Sequence, residues 1–360
     1  MIGLYLMHKR RLVHRLDAPA ALTFFVTKRC NLKCSHCFYW KSLNKDNDQE
    51  LSLGEIEKIL PSLKRRVSLA LTGGEPFLRK DLCDICDLFS RYKKVSEIGI
   101  ATNGYDTDDI VSQTERIINK TSIPLSVQIS LDGREETHDQ IRGLKGSFKN
   151  AIETLRKLNR IRNNHAGSFK TAVAFAIQKE NLKEVERFID FIAPFRVPVR
   201  FLITRGENFG LYNLPKEASS HINPRSEHSA DLCVSELEDI FHAIDQKNIN
   251  SPYKFWCLKQ KRITGLSLET MRCENRKLPC YAGTMEGVIY SNGEVAFCEF
   301  MKTIGSLKTV DYDFSKLWRS DRANEMRRLV KRCSCIHSCA IGTSLLLHER
   351  QIVNEAILTS

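Results

Sequence analysis

Three cysteines, Cys30, Cys34 and Cys37, are the residues in this sequence whose type and spacing most plainly call for chemistry. Their C-x3-C-x2-C pattern puts three thiols in one short segment, and thiolates bind soft metals. A structural zinc site wants four closed ligands and is usually assembled from paired C-x2-C units. Three thiolates on one tight loop instead suit a cubane iron–sulfur cluster with one iron left for a ligand from outside the protein. His36 is not needed as a ligand and is expected to pack beside such a cluster. A second group, Cys280, Cys298, Cys333, Cys335 and Cys339, crowds the C-terminal part. The chain holds thirteen cysteines in 360 residues, an odd count. The apolar run Met1–Met7 is too short for a secretory signal, and the basic residues Lys9, Arg10 and Arg11 follow it rather than precede it. Such a chain is expected to be cytoplasmic and to use its cysteines for metal rather than disulfides.

The elements that must position these residues are legible upstream. Short apolar or β-branched runs fall at Leu22–Thr27, Val67–Thr72, Glu97–Thr102, Pro124–Ser130, Thr171–Ile177 and Val199–Thr204. Several are nearly continuous in apolar character, as for strands covered on both faces. Amphipathic segments lie between them. Residues 52–66 open on a capping box, Ser52 with Glu55, flanked by Leu51 and Ile56 at hydrophobic-staple positions, and Pro61 is expected to kink or split that helix. Residues 147–161 place Phe148, Ile152, Leu155 and Leu158 on one face, and residues 181–193 do the same with Leu182, Val185 and Phe188. Cys83 and Cys86 fall in a helix at i, i+3 and read as core thiols. Six strand–helix alternations predict right-handed parallel units, hence an α/β fold built as an open sheet or a partial (β/α)6 barrel, since a closed barrel needs eight.

In such architectures ligands bind at the carboxyl ends of the strands. The cysteine loop follows the first run, Gly73-Gly74-Glu75-Pro76 the second, Asn103-Gly104 the third, and Ser130-Leu131-Asp132-Gly133 closes the fourth. All four segments therefore fall on one rim.

This pair of motifs, C-x3-C-x2-C after the first strand and Gly-Gly-Glu-Pro after the second, resembles the radical S-adenosylmethionine (radical SAM) superfamily over roughly residues 18–205. The resemblance implies a [4Fe–4S] cluster on Cys30, Cys34 and Cys37, with S-adenosylmethionine chelating the fourth iron. It implies reductive cleavage of that molecule to methionine and a 5′-deoxyadenosyl radical, which takes a hydrogen atom from substrate. The cofactor carries the hard chemistry, and the protein orients and shields it. Gly73, Gly74, Glu75 and Pro76 would then line the methionine end, with the glycines allowing close backbone approach. Glu75 is an anion near a cationic ligand or fixes its loop. Ser130 matches the position that holds ribose hydroxyls. Asn103 binds substrate or cofactor, or is ordinary turn chemistry. Asp132 belongs to a stretch common in the superfamily. Downstream of it, Arg142 pairs with the methionine carboxylate or makes a structural salt bridge.

The C-terminal cysteines resemble the SPASM/twitch extension of the same superfamily. The first half of that pattern, Cys280-x12-Gly293-x4-Cys298, fits, with Ser291-Asn292-Gly293-Glu294 expected to turn a β-hairpin between the two cysteines. The second half departs: only Cys335-x3-Cys339 matches, Cys333 stands one residue from Cys335, and no cysteine follows 339. One auxiliary cluster is therefore expected, on Cys280, Cys298 and two of Cys333, Cys335 and Cys339, with Cys273 as a replacement; zinc is the alternative here. Glu299, directly after Cys298, could take a proton from substrate. The domain layout expected is an N-terminal extension over 1–17, the barrel over 18–205, a linker and bridging helix over 206–253, and a small, short-segmented, Cys-rich α+β domain over 254–360.

The formal net charge of +12 and the clusters Lys64–Arg66, Lys259–Arg262 and Arg327–Arg332 admit an anionic partner, but no nucleic-acid-binding motif appears. A non-catalytic zinc or iron–sulfur protein that binds nucleic acid or carries electrons is the competing class; a carrier has no need of Gly-Gly-Glu-Pro at a neighbouring strand end. No apolar run is long enough to cross a membrane. The expected partners are a peptide, protein or small-molecule substrate and a low-potential electron donor such as flavodoxin or ferredoxin. With 29 residues before Cys30, no leader-recognition domain is expected there, which shifts weight from peptides toward sugar- or nucleotide-like substrates or a protein recognised without one.

Overall fold

The computed structural model describes residues 18–45, 49–64, 66–92, 95–204, 210–220, 232–249 and 251–348. The 1–17 extension and residues 206–209, 221–231 and 250 of the expected 206–253 linker and bridging helix lie outside the described residues.

The six expected strands are present as β1 (Ala21–Thr27), β2 (Val67–Gly73), β3 (Val95–Thr102), β4 (Leu125–Ser130), β5 (Phe169–Ile177) and β6 (Val199–Ile203). All are parallel and adjacent in chain order, as right-handed crossovers require. The helices between them are α1 (Leu53–Ile59), α2 (Leu82–Arg91), α3 (Thr107–Lys120), α4 (Glu135–Arg142), α5 (Ser147–Asn164) and α6 (Val185–Ile192). The Ser52–Glu55 capping box forms, and Leu51 and Ile56 beside it are fully buried. At Pro61 the first helix gives way to a 3-10 turn, Leu60–Ser62, because proline cannot donate the next helical hydrogen bond. Cys83 and Cys86 are core residues of α2.

Side chains alternate across each strand. On β1, Leu22, Phe24 and Val26 join the main apolar core, while Ala21 and Thr23 stay only partly covered. The other face carries Ala21 and Thr23 at its start and Phe25 at its end, where Phe25 packs with Val288 and Ala296 in a separate apolar cluster.

The C-terminal part has the expected bridging helix and hairpin and departs from its expectation in one long helix and in how its strands pair. A helical segment, α7 (Val234–Lys247), follows the short strand β7 (Leu211–Tyr212). Residues after 254 are not all short-segmented: α8 runs for 20 residues, Lys254–Cys273. Its sequence carries scattered polar residues and no clean apolar stripe, and its buried face holds Gln260, Thr264, Ser267 and Thr270 beside Ile263 and Leu268. The reason lies in its partner. The outer edge of β6 presents unpaired carbonyls, and α8 satisfies them with side chains: Trp256 Nε1 donates to Val199 O at 3.0 Å and Gln260 Nε2 to Phe201 O at 3.0 Å. A polar helix face here covers a sheet edge.

The expected hairpin forms as β8 (Glu286–Ile289) and β9 (Glu294–Ala296), followed by β10 (Gly305–Ser306). It is not a separate sheet. β8 pairs in parallel with β1, giving one nine-stranded sheet in the order β10-β9-β8-β1-β2-β3-β4-β5-β6. Two short helices, α9 (Phe314–Trp318) and α10 (Asp321–Val330), lead to the two-residue strand β11 (Ser334–Cys335), which pairs with β7, and to α11 (Ser338–His348). The helices α8 and α11 pack together through Ile263, Ile341 and Leu345. Among the described residues no helix is long and apolar enough to cross a membrane.

Candidate functional site

The cysteine loop is pinned on three sides. Asn44 exchanges two hydrogen bonds with the Cys30 backbone, at 3.0 and 2.9 Å. Lys33 N and Ser35 N donate to Arg142 O and Ile141 O at the end of α4, at 3.2 and 2.8 Å. The end of β2 closes the third side: Gly74 N donates to Thr27 O at 2.9 Å and Glu75 N to Arg29 O at 2.7 Å. The two glycines make this approach possible. A Cβ on Gly73 would stand 2.3 Å from Thr27 O, and one on Gly74 would stand 2.1 Å from Arg29 O. Their close contact is thus with the cysteine loop's own backbone. Pro76 opens the buried 3-10 turn that follows.

Glu75 is fully buried and fixes its loop. It accepts from Thr102 Oγ1 at 2.8 Å, Asn103 N at 2.7 Å and Phe77 N at 3.2 Å, so it knots the ends of β2 and β3. Burial pushes its carboxyl up to about 7 against these donors. Asn103 continues the tie: its amide donates to Asn31 Oδ1 in the cysteine loop at 2.8 Å, and its carbonyl accepts from Tyr105 N. Both members of the Glu75–Asn103 pair therefore hold the rim together.

Asp132 and Arg142 form a buried ion pair, Arg142 Nη2 to Asp132 Oδ2 at 2.6 Å. The structural salt bridge that the sequence left open for Arg142 is present. Asp132 also accepts from Ala176 N at 2.8 Å, and its own N–H donates to His138 Nδ1 at 3.1 Å. Arg142 Nη1 reaches Cys34 Sγ at 3.6 Å, placing positive charge against a thiol that must ionise to bind metal. His36 stands 4.0 Å from Asp132, and burial drives its pKa down to about 4, leaving it neutral. Ser130, Asp132, Arg142, His36 and Thr204 line a chamber of about 200 Å³ beside the loop.

The residues fit a metal cluster and a polar ligand. Three thiols share one loop beside a guanidinium, and the buried Arg142 Nε and His36 Nδ1 have no hydrogen-bond partner. Burial, with the neighbouring Cys34, Glu75 and Cys37, pushes the Cys30 thiol up to about 12, a balance that a bound cation inverts. Among the described residues no three Cys, His, Asp or Glu side chains converge as a single metal ion requires. A cluster spreads its iron over separate thiolates and has no such need.

At the other centre four sulfurs gather: Cys280 and Cys298 flank the hairpin, and Cys333 and Cys335 flank Ser334. Cys333 donates to Cys335, and that bond, with Arg276 Nη1 at 3.6 Å and His337, draws the Cys335 thiol down. Cys298 is pushed up by burial, with Glu299 and Cys280 adding to it. Cys339 turns elsewhere, its sulfur lying 3.2 Å from Arg200 Nη2. Cys273 is exposed at the end of α8. Glu299 lies 3.8 Å from His337 Nδ1 and faces the lumen. Asn31, Asn44 and Glu286 escaped the sequence reading. Asn31 sits inside the cysteine motif without a signal of its own, Asn44 and Glu286 lie in no motif, and the partners of all three are distant in the chain.

Parallel sheet, rim motifs and two cysteine centres define a radical SAM protein with an iron–sulfur extension. The radical SAM superfamily model matches residues 24–192 and the SPASM iron–sulfur cluster-binding domain matches residues 280–340. The chain belongs to the radical SAM superfamily, a family of enzymes, and carries a SPASM-type domain. The two domains imply a [4Fe–4S] cluster, an auxiliary iron–sulfur cluster and S-adenosylmethionine. The chain is 32% identical over 197 residues to the mycofactocin maturase of Mycolicibacterium smegmatis, covering 53% of this chain and 45% of that one. It is 26% identical over 356 residues to a pre-heme d1 synthase of Dinoroseobacter shibae, covering 92% and 82%. Against several curated relatives the chain spans less than half of their length. The Streptococcus suis SuiB structure bound to its precursor peptide shares the fold, with TM-score 0.59, 15% identity, and coverage of 90% of this chain and 70% of that one.

Proposed function

We propose that this chain cleaves S-adenosylmethionine reductively to methionine and a 5′-deoxyadenosyl radical and removes a hydrogen atom from a small molecule or a peptide residue in a biosynthetic step. The observation that carries this reading is the loop of Cys30, Cys34 and Cys37, braced by Gly73, Gly74 and Arg142 and opening on the chamber with Ser130. In this reading the three thiolates hold the [4Fe–4S] cluster, which supplies the electron when bound. Ser130 hydrogen-bonds the ligand's sugar, and Arg142 and His36 offer their spare nitrogens to its polar end. Cys280, Cys298, Cys333 and Cys335 hold the auxiliary cluster. A relative named for heme d1 synthesis aligns along most of both chains, which favours a small molecule; relatives named as maturases support a peptide as the second reading. A low-potential flavodoxin or ferredoxin in the cytoplasm supplies the electrons.

The test is anaerobic reconstitution with iron and sulfide, followed by reduction with S-adenosylmethionine. We expect about eight irons per chain, two four-iron clusters. Mass spectrometry should detect 5′-deoxyadenosine, and Cys30→Ala should abolish it. Tightly bound zinc with no S-adenosylmethionine binding would sink the proposal.

Glu299 takes a proton from substrate in this reading. Its replacement by Gln should lower turnover roughly 100-fold or more and remove one limb of the pH profile. Unchanged turnover with an unchanged profile would leave Glu299 without that role.

A further inference from the structure

The inner face of the sheet carries a second chamber, of about 340 Å³, toward the starts of the strands. On β6 Arg200 and Leu202 share one face, and Thr204 continues it just past the end of the strand. Arg200 belongs to this chamber, and Leu202 and Thr204 to the one beside the cysteine loop. The two cavities are therefore successive compartments along a single strand face, and the helices α8 and α11 wall the second one.

Its charges are arranged in an unusual way. The Arg200 guanidinium donates to Ser338 Oγ at 3.0 Å and touches Cys339 Sγ at 3.2 Å. Among the described residues no carboxylate is within ion-pair reach of it. A half-buried guanidinium held by neutral partners keeps donors for a planar anion. Lys259, on α8, runs across Gly342, with its Cε 3.9 Å from where a Cβ would stand. Residues 338 and 342 are one turn apart on the same face of α11, so the Arg200 and Lys259 side chains meet adjacent turns of it, and both line the chamber.

Two carboxyl groups share the chamber. Glu299 faces His337, and Glu286 accepts a hydrogen bond from Thr343 Oγ1. Burial pushes the Glu286 carboxyl up to about 8, above the usual carboxylate range. The remaining wall is mixed, with apolar Ala21, Ala70 and Trp256 beside polar Thr23, Ser68 and Gln260.

We propose that this chamber binds a carboxylate-bearing substrate, whose carboxylate is held by Arg200 and Lys259. The proposal rests on the radical SAM reading above and names the substrate class for it. The carboxylate can belong to a free organic acid or to an acidic side chain of a peptide.

The experiment is titration calorimetry on the anaerobically reconstituted chain. One arm uses glutarate; the other uses an end-blocked Gly-Glu-Gly peptide. Glutaramide and inorganic phosphate serve as comparators. We expect one of the two carboxylates to bind, glutaramide to bind at least tenfold more weakly, and Arg200→Gln and Lys259→Gln each to weaken the carboxylate at least tenfold. Arg200→Lys should recover part of the loss. Binding of glutarate alone marks a small-molecule site, and preference for the peptide marks a side-chain site. No carboxylate binding, equal binding of acid and amide, tighter phosphate binding, or Gln variants indistinguishable from wild type would each overturn the proposal. S-adenosylmethionine affinity, measured in the same samples, should not change in the variants. Its loss in the wild type would instead overturn the radical SAM reading.

Discussion

Arg142→Met should destabilise the chain by about 3–5 kcal/mol, because it leaves the Asp132 carboxylate buried without its countercharge. Both partners are almost wholly inaccessible in the intact protein, so the carboxylate depends on its protein partners. The double variant Asp132→Asn with Arg142→Met should recover a large part of the loss. It removes both charges while the asparagine oxygen still accepts from Ala176 N. Urea unfolding followed by circular dichroism measures both, and a single variant within 1 kcal/mol of wild type would contradict the account. The pH dependence has a definite sign. Burial alone would raise the Asp132 carboxyl, but Arg142, with His36 and His138, holds it below the usual range. A depressed carboxyl contributes stability above its unfolded pKa and loses it as pH falls through the folded value. Wild type should therefore lose this increment on acidification, and Arg142→Met, lacking the main cause of depression, should show a flatter acid limb.

Gly74→Ala should empty the cysteine loop of metal. The new methyl would stand 2.1 Å from Arg29 O and 3.0 Å from Cys30 Cβ. The first of these is backbone, tied in place by the Glu75 N to Arg29 O bond, so the loop itself must shift. We expect iron to fall from about eight to about four per chain, with the C-terminal centre intact and the far-ultraviolet spectrum unchanged. Gly265→Ala, in the middle of α8 with nothing within 4 Å of the added carbon, is the control. It should leave iron unchanged and stabilise slightly, as alanine replaces glycine in a helix. Full iron content in Gly74→Ala would show that the loop tolerates displacement.

The two sets of residues differ in how visible they are from sequence. The strands, the Ser52 cap and the break at Pro61 are written in local patterns, because each depends on neighbours within a few residues. The rim motifs are visible for the same reason, since each follows its strand directly. What the sequence does not carry is who meets whom. Arg142 finds Asp132 ten positions back only because α4 folds over the end of β4. Glu75 and Asn103 are each visible as motif residues, but their hydrogen bond to one another is a product of strand pairing. The long helix α8 hides because its buried face is partly polar, and that polarity makes sense only beside the carbonyls of β6. Arg200 and Glu286 bear no spacing signal at all, and Lys259 shows only as the start of the basic cluster Lys259–Arg262. A single Glu in Glu286–Ile289 looks like any strand end until α11 closes over it.

The pairing of β8 with β1 sets a timetable for the chain during its own synthesis. β1 is made first, yet the strand that covers one of its edges lies about 265 residues further on, a separation typical of slow, non-local closure. At ribosomal rates that edge stays bare for roughly 13–50 s while the strands on its other side assemble. A nascent chain in this interval exposes an apolar strand border that invites another chain to pair with it. Yield of intact protein should then depend on how fast the ribosome reaches the hairpin, and on what shields the border until it arrives.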